Sequence, residues 1–370
     1  MFSTALRSTP SRPSSRRLGR TVRLTSLACT AAVLLASCAD RGSAGGGQEG
    51  DTIRVAIGAR VLSMMPALAP AEQGGYAADG MKVDVFDSGG GAAALQALIS
   101  GDVLLGGSGG PEAVNSAVKS KQTKVVATLA VNIGTEIVVS KKLAQGGLTR
   151  DLPLAQRVQG MKGRKIGITS SGSTTDQLVR ALMIDQGLNP DTDASIVALG
   201  GGEEIVGALR GGSVDIVALS PPTGQIVEKE GIGEVLISPP RGDVESINGM
   251  IYITFSARNT DLENDETRAK IVTFVKGIAG YLRLVKSDTD EAKEQGRKTF
   301  PKLEPDVYDA AWDVVNPGFP DDPTPTEESI RIALDFQEKY SDTGPVDWTF
   351  EDVADPSIAE DAIAALDSTG

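Results

Sequence analysis

The pattern of apolar and polar positions near the middle of the chain predicts a strand, a polar loop and a helix in succession. Lys165–Ile168 has the apolar character of a buried strand, and residues 169–173 are small and polar. Apolar residues then recur at helical spacing from Leu178, and Gly187 suits a left-handed helix end. Because a helix N-terminus leaves N–H groups unpaired and carries partial positive charge, the loop is a candidate site for an anionic or strongly polar ligand.

The same pattern occurs twice, at a shift of 111 residues. Residues 89–103 (GGGAAALQALISGDV) align without a gap on residues 200–214 (GGGEEIVGALRGGSV), and 7 of the 15 positions are identical. The shift also places residues 55–57 on residues 166–168. Each copy predicts a βαβαβ unit of a parallel sheet. Ligands of such sheets bind beyond the carboxyl ends of the strands, so the two equivalent loops should face one crevice.

These repeats predict an α/β fold of two lobes, each with a mostly parallel sheet flanked by helices. We assign residues 51–139 and 249–370 to a discontinuous lobe 1 and residues 140–248 to lobe 2. Beyond residue 255 the apolar spacing becomes helical, and these helices should pack on lobe 1.

The amino-terminal pattern is that of an export signal. Residues 1–24 carry six arginines and no acid, and residues 25–36 form a short apolar run. We therefore predict a signal peptide at residues 1–37, exported by the general or the twin-arginine route. The segment 35–38 (LASC) resembles the lipobox of bacterial lipoproteins, in which the cysteine, here Cys38, becomes the lipidated first residue. The glycine-rich residues 38–50 predict a flexible tether.

The net charge, the absence of histidine and the scarcity of cysteine limit the partners and the kinds of site that this chain can have. The formal net charge is −13, and loss of the six signal-peptide arginines would make it about −19, which disfavours nucleic acid as a partner. The chain has no histidine, and Cys38 is the one cysteine left after removal of the signal peptide. Disulfides, cysteine metal sites and histidine-dependent catalysis are therefore excluded. We predict no catalytic residue, no metal and no cofactor.

The order of several short segments resembles that of a known family. They are 66–76 (PALAPAEQGGY), 80–85 (GMKVDV), 97–101 (ALISG), 161–168 (MKGRKIGI) and 187–190 (GLNP). Together they resemble the extracytoplasmic solute-binding proteins of ABC importers, in the group that serves nitrate, sulfonates, taurine and thiamine precursors. One departure is Leu104, which stands where the family usually has an acid.

The resemblance implies a periplasmic-binding-protein type II-like fold with the ligand cleft between the lobes. It also implies a monomeric receptor that is lipid-anchored outside the bacterial cell membrane, captures a small polar or anionic solute by hinge closure and delivers it to ABC permease subunits.

Candidate ligand-binding residues lie in the loops that should face the crevice. They are Arg60, Ser63, Met64, Ser108, Gly109, Gly110, Asn132, Ser171, Gly172, Ser173, Thr174, Thr175 and Ser220. Capping, turn formation or core packing is the competing explanation for each. Arg241 is a second basic residue near the predicted mouth. No aromatic residue occurs between Asp87 and Ile251, so an aromatic wall would have to come from Tyr76, Tyr252, Phe255 or later residues.

Two other functions remain open from the sequence. The first is an enzyme on the same scaffold, although comparable thiamine-pyrimidine synthases use histidine and cysteine that this chain lacks. The second is an extracellular sensor or interaction protein, which predicts an exposed apolar patch rather than a solute cavity.

We expect Cys38→Ala to release the protein from the membrane fraction, because the lipid would have no attachment point. Immunoblotting of membrane and soluble fractions measures this. Continued membrane association of the variant would contradict the lipobox assignment.

Overall fold

A computed structural model describes residues 51–340 and 348–368. The predicted signal peptide, Cys38 and the tether lie outside the described residues. No helix in these two ranges is both long enough and apolar enough to cross a membrane.

The described chain forms two five-stranded sheets. The strands are β1 (Asp51–Ile57), β2 (Met81–Asp87), β3 (Leu105–Gly109), β4 (Thr123–Val131), β5 (Glu136–Ser140), β6 (Lys165–Ile168), β7 (Ser195–Ala198), β8 (Ile216–Leu219), β9 (Gly233–Ile237) and β10 (Ile251–Arg258). The strand order is β2-β1-β3-β10-β4 in lobe 1 and β7-β6-β8-β5-β9 in lobe 2.

Helices flank both sheets. They are α1 (Met65–Glu72), α2 (Gly91–Ser100), α3 (Gly110–Ser120), α4 (Lys141–Gln145), α5 (Leu154–Gln159), α6 (Thr174–Asp185), α7 (Glu203–Arg210), α8 (Thr223–Lys229), α9 (Asn259–Leu262), α10 (Asp265–Ser287), α11 (Thr289–Thr299), α12 (Pro305–Val315), α13 (Glu327–Tyr340), α14 (Phe350–Val353) and α15 (Ser357–Asp367).

The two sheets have the same topology, as the 111-residue repeat predicts. In each lobe the first strand of the repeat, β1 or β6, is parallel to both of its neighbours. In each lobe the fourth position holds an antiparallel strand, β10 or β5. Ile57 ends β1, and Ile168, which is 111 residues later, ends β6. The loops that follow these strands are therefore equivalent in the two lobes.

The antiparallel strand of each sheet comes from a segment that crosses between the lobes. The chain enters lobe 2 before β5 and returns to lobe 1 before β10. The boundary predicted at residues 139/140 is therefore too late, because the crossing occupies residues 132–135. Residues 137–139 are fully buried and apolar, a pattern that fits a strand in either sheet and so does not reveal which one it joins.

The two crossings are bonded to each other. The backbone N–H of Asn132 donates to Met250 O at 2.9 Å, and the Gly249 N–H donates to Asn132 Oδ1 at 2.6 Å. Both Asn132 and Gly249 have positive φ values, 63° and 80°, which non-glycine residues other than asparagine rarely adopt. The two crossing segments therefore connect the lobes at a pair of tight turns that are hydrogen-bonded to each other.

The core of lobe 1 forms between the sheet and α10. Phe255 of β10 packs edge-on against Phe274 of α10 with ring centroids 5.0 Å apart, and Tyr76 stacks on the same ring. Tyr76 also donates from its hydroxyl to the Phe274 carbonyl oxygen. Tyr76 and Phe255 are thus core residues. Of the three aromatic residues named as possible parts of the crevice wall, this leaves Tyr252.

Gly110 and Gly207 make a matched pair for testing this packing. A Cβ atom on Gly110 would overlap the Ile251 carbonyl oxygen, whereas one on Gly207 of α7 would meet nothing within 4 Å. We expect Gly110→Ala to lower the free energy of unfolding by about 2 kcal/mol or more through overpacking. Gly207→Ala should raise it by up to about 1 kcal/mol through helix propensity. Urea unfolding measures both, and equal effects would contradict the close approach of β10 to α3.

Candidate functional site

A cavity lies between the lobes, where the equivalent loops meet. It has about 50 Å³ of water-accessible space. A single water molecule needs roughly 10–15 Å³ of such space, so the cavity suits a compact polar group. Its wall comes from both lobes and from the crossing segments: Gly58, Ala59, Val61, Met64, Gly91, Ser108, Gly109, Glu112, Thr135, Thr169, Ser173, Thr174, Thr175, Leu219, Ser220, Tyr252 and Ile253.

Lobe 2 contributes a closed cluster of hydroxyl groups. The Thr169 hydroxyl donates to Ser173 Oγ at 2.9 Å, and Thr175 Oγ1 lies 2.8 Å from Ser173 Oγ and 3.0 Å from Thr169 Oγ1. Thr175 Oγ1 also accepts from the Thr169 N–H. These three hydroxyls satisfy one another and hold the loop in shape at the start of α6.

Thr174 differs from its neighbours. Its side chain is buried, and its Oγ1 atom has no hydrogen-bond partner in the described chain. It faces lobe 1 so closely that a Cβ atom on Gly109 would overlap Thr174 Oγ1. Any larger residue at position 109 would therefore require the Thr174 side chain to move.

Lobe 1 contributes a buried carboxyl group, that of Glu112. Glu112 is the third residue of α3, and its Oε1 atom accepts from the N–H of Gly109, the residue that precedes the helix, at 2.6 Å. Burial raises the pKa of Glu112 to about 8, although the N–H groups of Gly109 and Thr174 partly offset this effect. Oε2 is buried and has no hydrogen bond of normal geometry to the described residues, an arrangement that typically costs about 1–3 kcal/mol.

Tyr252 connects both lobes at the side of the cavity nearest the crossings. It lies on β10, and its hydroxyl contacts Ser220 Oγ of lobe 2 and, at 3.2 Å, Thr135 Oγ1 of the first crossing. Burial raises the pKa of Tyr252, so the phenol is neutral at physiological pH. A backbone hydrogen bond of 3.1 Å from Leu62 N to Pro221 O also joins the lobes here.

Seven of the predicted site residues line this cavity. They are Met64, Ser108, Gly109, Ser173, Thr174, Thr175 and Ser220. Ser63 is buried next to Met64 but is not part of the wall.

The remaining predicted residues have other places. Ser171 and Gly172 are exposed, and the Gly172 N–H donates to Asp176 Oδ2 instead of facing the cavity. The Asn132 side chain joins the two crossings, and Gly110 packs against the Ile251 carbonyl. These four residues do not line the cavity, and their assignment as ligand-binding residues stays a prediction.

The arginines are also placed away from the cavity. Arg60 forms an ion pair with Glu72 at 2.5 Å and donates to Thr299 O at 2.8 Å. Arg241 pairs with Asp243 at 3.2 Å. Neither arginine lines the cavity, so sequence proximity to the mouth did not identify cavity residues.

Arg60 instead lines a larger crevice outside the cavity. This crevice has about 640 Å³ of water-accessible space and is formed by α7 and α8 of lobe 2 opposite residues 299–304 and α12 of lobe 1. Its wall shares Val61 and Leu219 with the inner cavity. Lys229 of α8 forms an ion pair across the crevice with Glu304 at 3.3 Å.

Glu112, Thr135, Thr169 and Tyr252 belong to the wall and were not among the predicted site residues. An acid at the third helical position is normally explained by its favourable interaction with the helix dipole. For this reason nothing in the sequence indicated that Glu112 lines a cavity. No group of three or more acidic, cysteine or histidine side chains arranged to hold a metal ion occurs within residues 51–340 and 348–368.

The model of the NMT1-like family matches residues 48–244, more than half of the chain. The chain belongs to the NMT1-like family. This confirms the group predicted from the sequence. No curated protein sequence matches this NMT1-like protein.

Solved structures show the same fold at low identity. A protein of Bordetella bronchiseptica RB50 is 22% identical, with a TM-score of 0.74, over 86% of this NMT1-like chain and 98% of its own. The ligand-binding component of an ABC-type import system from Staphylococcus aureus, with zinc bound, has a TM-score of 0.65 at 16% identity, over 84% and 99%. The nitrate-binding protein NrtA from Synechocystis PCC 6803 has a TM-score of 0.64 at 14% identity, over 86% and 89%. The predicted periplasmic-binding-protein fold is thus confirmed.

We expect Glu112→Gln to change the pH dependence of stability. Because the native pKa is near 8 and the unfolded value near 4.5, the native state alone holds this proton between these values, and stability falls as pH rises through that window. The glutamine variant lacks this loss. Relative to wild type it should gain about 2–4 kcal/mol between pH 5 and pH 8.

Urea unfolding at the two pH values measures the difference, with Glu360→Gln on the exposed face of α15 as the matched control. Parallel pH profiles for wild type and Glu112→Gln would show that this carboxyl is not titrating in the buried state.

Proposed function

We propose that this protein is the substrate-binding component of an ABC import system. In this role it captures a small polar solute between its lobes and delivers it to permease subunits in the membrane. The observation that carries the proposal is the cavity between the lobes, whose wall includes the equivalent loops of both repeats.

The geometry supports capture by closure. The lobes are joined by two short crossings that are bonded to each other, so a change of dihedral angles there rotates one lobe against the other. At the cavity the lobes touch through Gly109 and Thr174 and through Tyr252 and Ser220. A solute bound to both walls stabilises the closed form in proportion to its preference for that form.

A third set of contacts joins the lobes through α13. Helix α13 packs on α3 of lobe 1, and its Tyr340 hydroxyl donates to Asp185 Oδ2 of α6 at 2.6 Å. Lys339 pairs with the same carboxylate at 3.0 Å. These are exposed polar contacts, which are weak and separable in water, so they suit an interface that opens and closes.

The chemistry of the wall supports binding without conversion of the solute. Its polar groups are hydroxyls, backbone N–H groups, one carboxyl and one phenol. Such groups position a ligand by hydrogen bonds. Recovery of an altered product after incubation with the solute would instead favour an enzyme.

The cellular setting is part of the proposal. The sequence supports export, lipidation at Cys38 and a tether, and these together would hold a monomeric receptor at the outer face of the cell membrane next to its permease. The Staphylococcus aureus and Synechocystis proteins are similar to this chain in fold, and their ligands are not assigned to it.

We expect Thr174→Leu to abolish solute binding while leaving the melting temperature of the free protein within a few degrees of wild type. The larger side chain would meet Gly109 and hold the lobes apart, but it disturbs neither core. Ser171→Leu is the matched control, since Ser171 is exposed on the same loop and outside the wall.

A thermal-shift screen of the chain from Gly50 onward against small polar solutes measures this, because a ligand that binds only the native state must raise its stability. Loss of the shift in both variants, or in neither, would move the solute site away from the cavity.

A further inference from the structure

The Glu112 carboxyl group occupies the position in which an anionic solute would be expected. It lies at the N-terminus of α3, where it accepts the Gly109 N–H. The first residue of α6, Thr174, faces it from the other lobe, and its N–H lowers the pKa of Glu112. The positive ends of two helices are therefore directed at a carboxyl group that belongs to the protein itself.

This carboxyl is only partly satisfied. Glu112 is 7% exposed, and its Oε2 atom has no hydrogen bond of normal geometry to the described residues, although the Thr174 N–H lies near the carboxyl group, whereas Oε1 is bonded to Gly109. Thr174 is 5% exposed, and its Oγ1 atom is also without a partner. Both residues line the cavity. Two buried oxygen atoms thus remain available to a ligand that donates hydrogen bonds.

The wall offers an anion no basic side chain. None of the residues that line the cavity is lysine or arginine. Arg60, the nearest basic residue in sequence to the lobe 1 loop, is held by Glu72 and Thr299. A nitrate or sulfonate group would be buried in this cavity without a lysine or arginine beside it, which is unfavourable.

On the basis of the proposed receptor function, we propose that the solute presents a positively charged N–H donor group to Glu112 Oε2. An ammonium, amidinium or guanidinium group has this chemistry, and a second N–H of the same group reaches Thr174 Oγ1. In this proposal the solute is a cationic nitrogen compound, and nitrate and sulfonates are not expected to bind.

Proton release accompanies this binding. With a pKa of about 8, Glu112 carries a proton at neutral pH when no cation faces it, and a cation at Oε2 stabilises the ionised form instead. Tyr252 is the other titratable group on the wall, and its raised pKa keeps it neutral. Affinity for a cation therefore increases with pH up to about 8.

The charge of the whole chain acts in the same direction. The protein has 49 acidic and 36 basic residues, a formal net charge of −13. A negative field of this kind increases the rate at which cations arrive and reduces that of anions.

The test compares two series of probes on the wild-type chain from Gly50 onward. The cationic series is methylammonium, acetamidinium, guanidinium and agmatine, and the anionic series is nitrate, formate, methanesulfonate and taurine. Thermal shift at up to 100 mM and titration calorimetry are expected to detect the cations alone. Calorimetry in two buffers of different ionisation enthalpy should show net proton release at pH 7.

Glu112→Gln is the decisive variant. A glutamine oxygen at this helix position still accepts from the Gly109 N–H, so the fold is kept while the charge is removed. We expect cation affinity to fall at least tenfold and the proton release to disappear. The exposed control Glu360→Gln should bind like wild type, which separates a local effect from the general loss of negative charge.

The outcomes distinguish the two proposals. If members of the anionic series bind and Glu112→Gln binds them equally or more tightly, the cationic class is wrong and the receptor function stands. If cations bind equally to wild type and Glu112→Gln, Glu112 is not their contact and the inference fails. If neither series shifts the wild-type melting temperature and a wider solute screen also fails, the receptor function is overturned as well.

Discussion

The cavity between the lobes depends on the close approach of Gly109 in lobe 1 to the Thr174 side chain in lobe 2. Gly109 ends a strand of lobe 1 and Thr174 begins a helix of lobe 2, and no side chain fits on Gly109 between them. A single hydrogen atom at this point allows two helix N-termini to face the same small volume. The Glu112 carboxyl and the Thr174 hydroxyl both line the cavity at this contact.

The two walls of the cavity have different physical roles. On lobe 2, the hydroxyls of Thr169, Ser173 and Thr175 saturate one another and fix the shape of the loop. On lobe 1, Glu112 is bonded through one oxygen only. A rigid, satisfied surface thus opposes a group with unused hydrogen-bonding capacity. This asymmetry places ligand discrimination on lobe 1, because unused capacity at a buried group is what an added molecule can satisfy.

The repeat allowed the two lobes, their common topology and the meeting of their loops to be predicted from the sequence, because each depends on local patterns shared at a fixed shift. Long-range contacts were not predictable in this way. Residues 137–139 are apolar enough to complete either sheet. Ser171 and Thr174 are only three residues apart in the same polar loop, yet Ser171 is exposed and Thr174 is buried. Glu112 was not predicted because its local role, accepting the N–H of the residue before the helix, already explains an acid at this position. The cavity that Glu112 lines is formed together with residues of lobe 2, so it could not be predicted from the local sequence of lobe 1.

The antiparallel strand at the fourth place of each sheet has a consequence for the order of assembly. The strands of lobe 2 all lie between Glu136 and Ile237, so that sheet can be complete before synthesis reaches residue 251. The lobe 1 sheet cannot be complete at that stage, since β10 lies between β3 and β4. Those two strands are synthesised more than a hundred residues before β10. We expect the lobe 2 sheet to fold first. The lobe 1 sheet, although its first strands are synthesised earlier, would be completed only when β10 inserts into it.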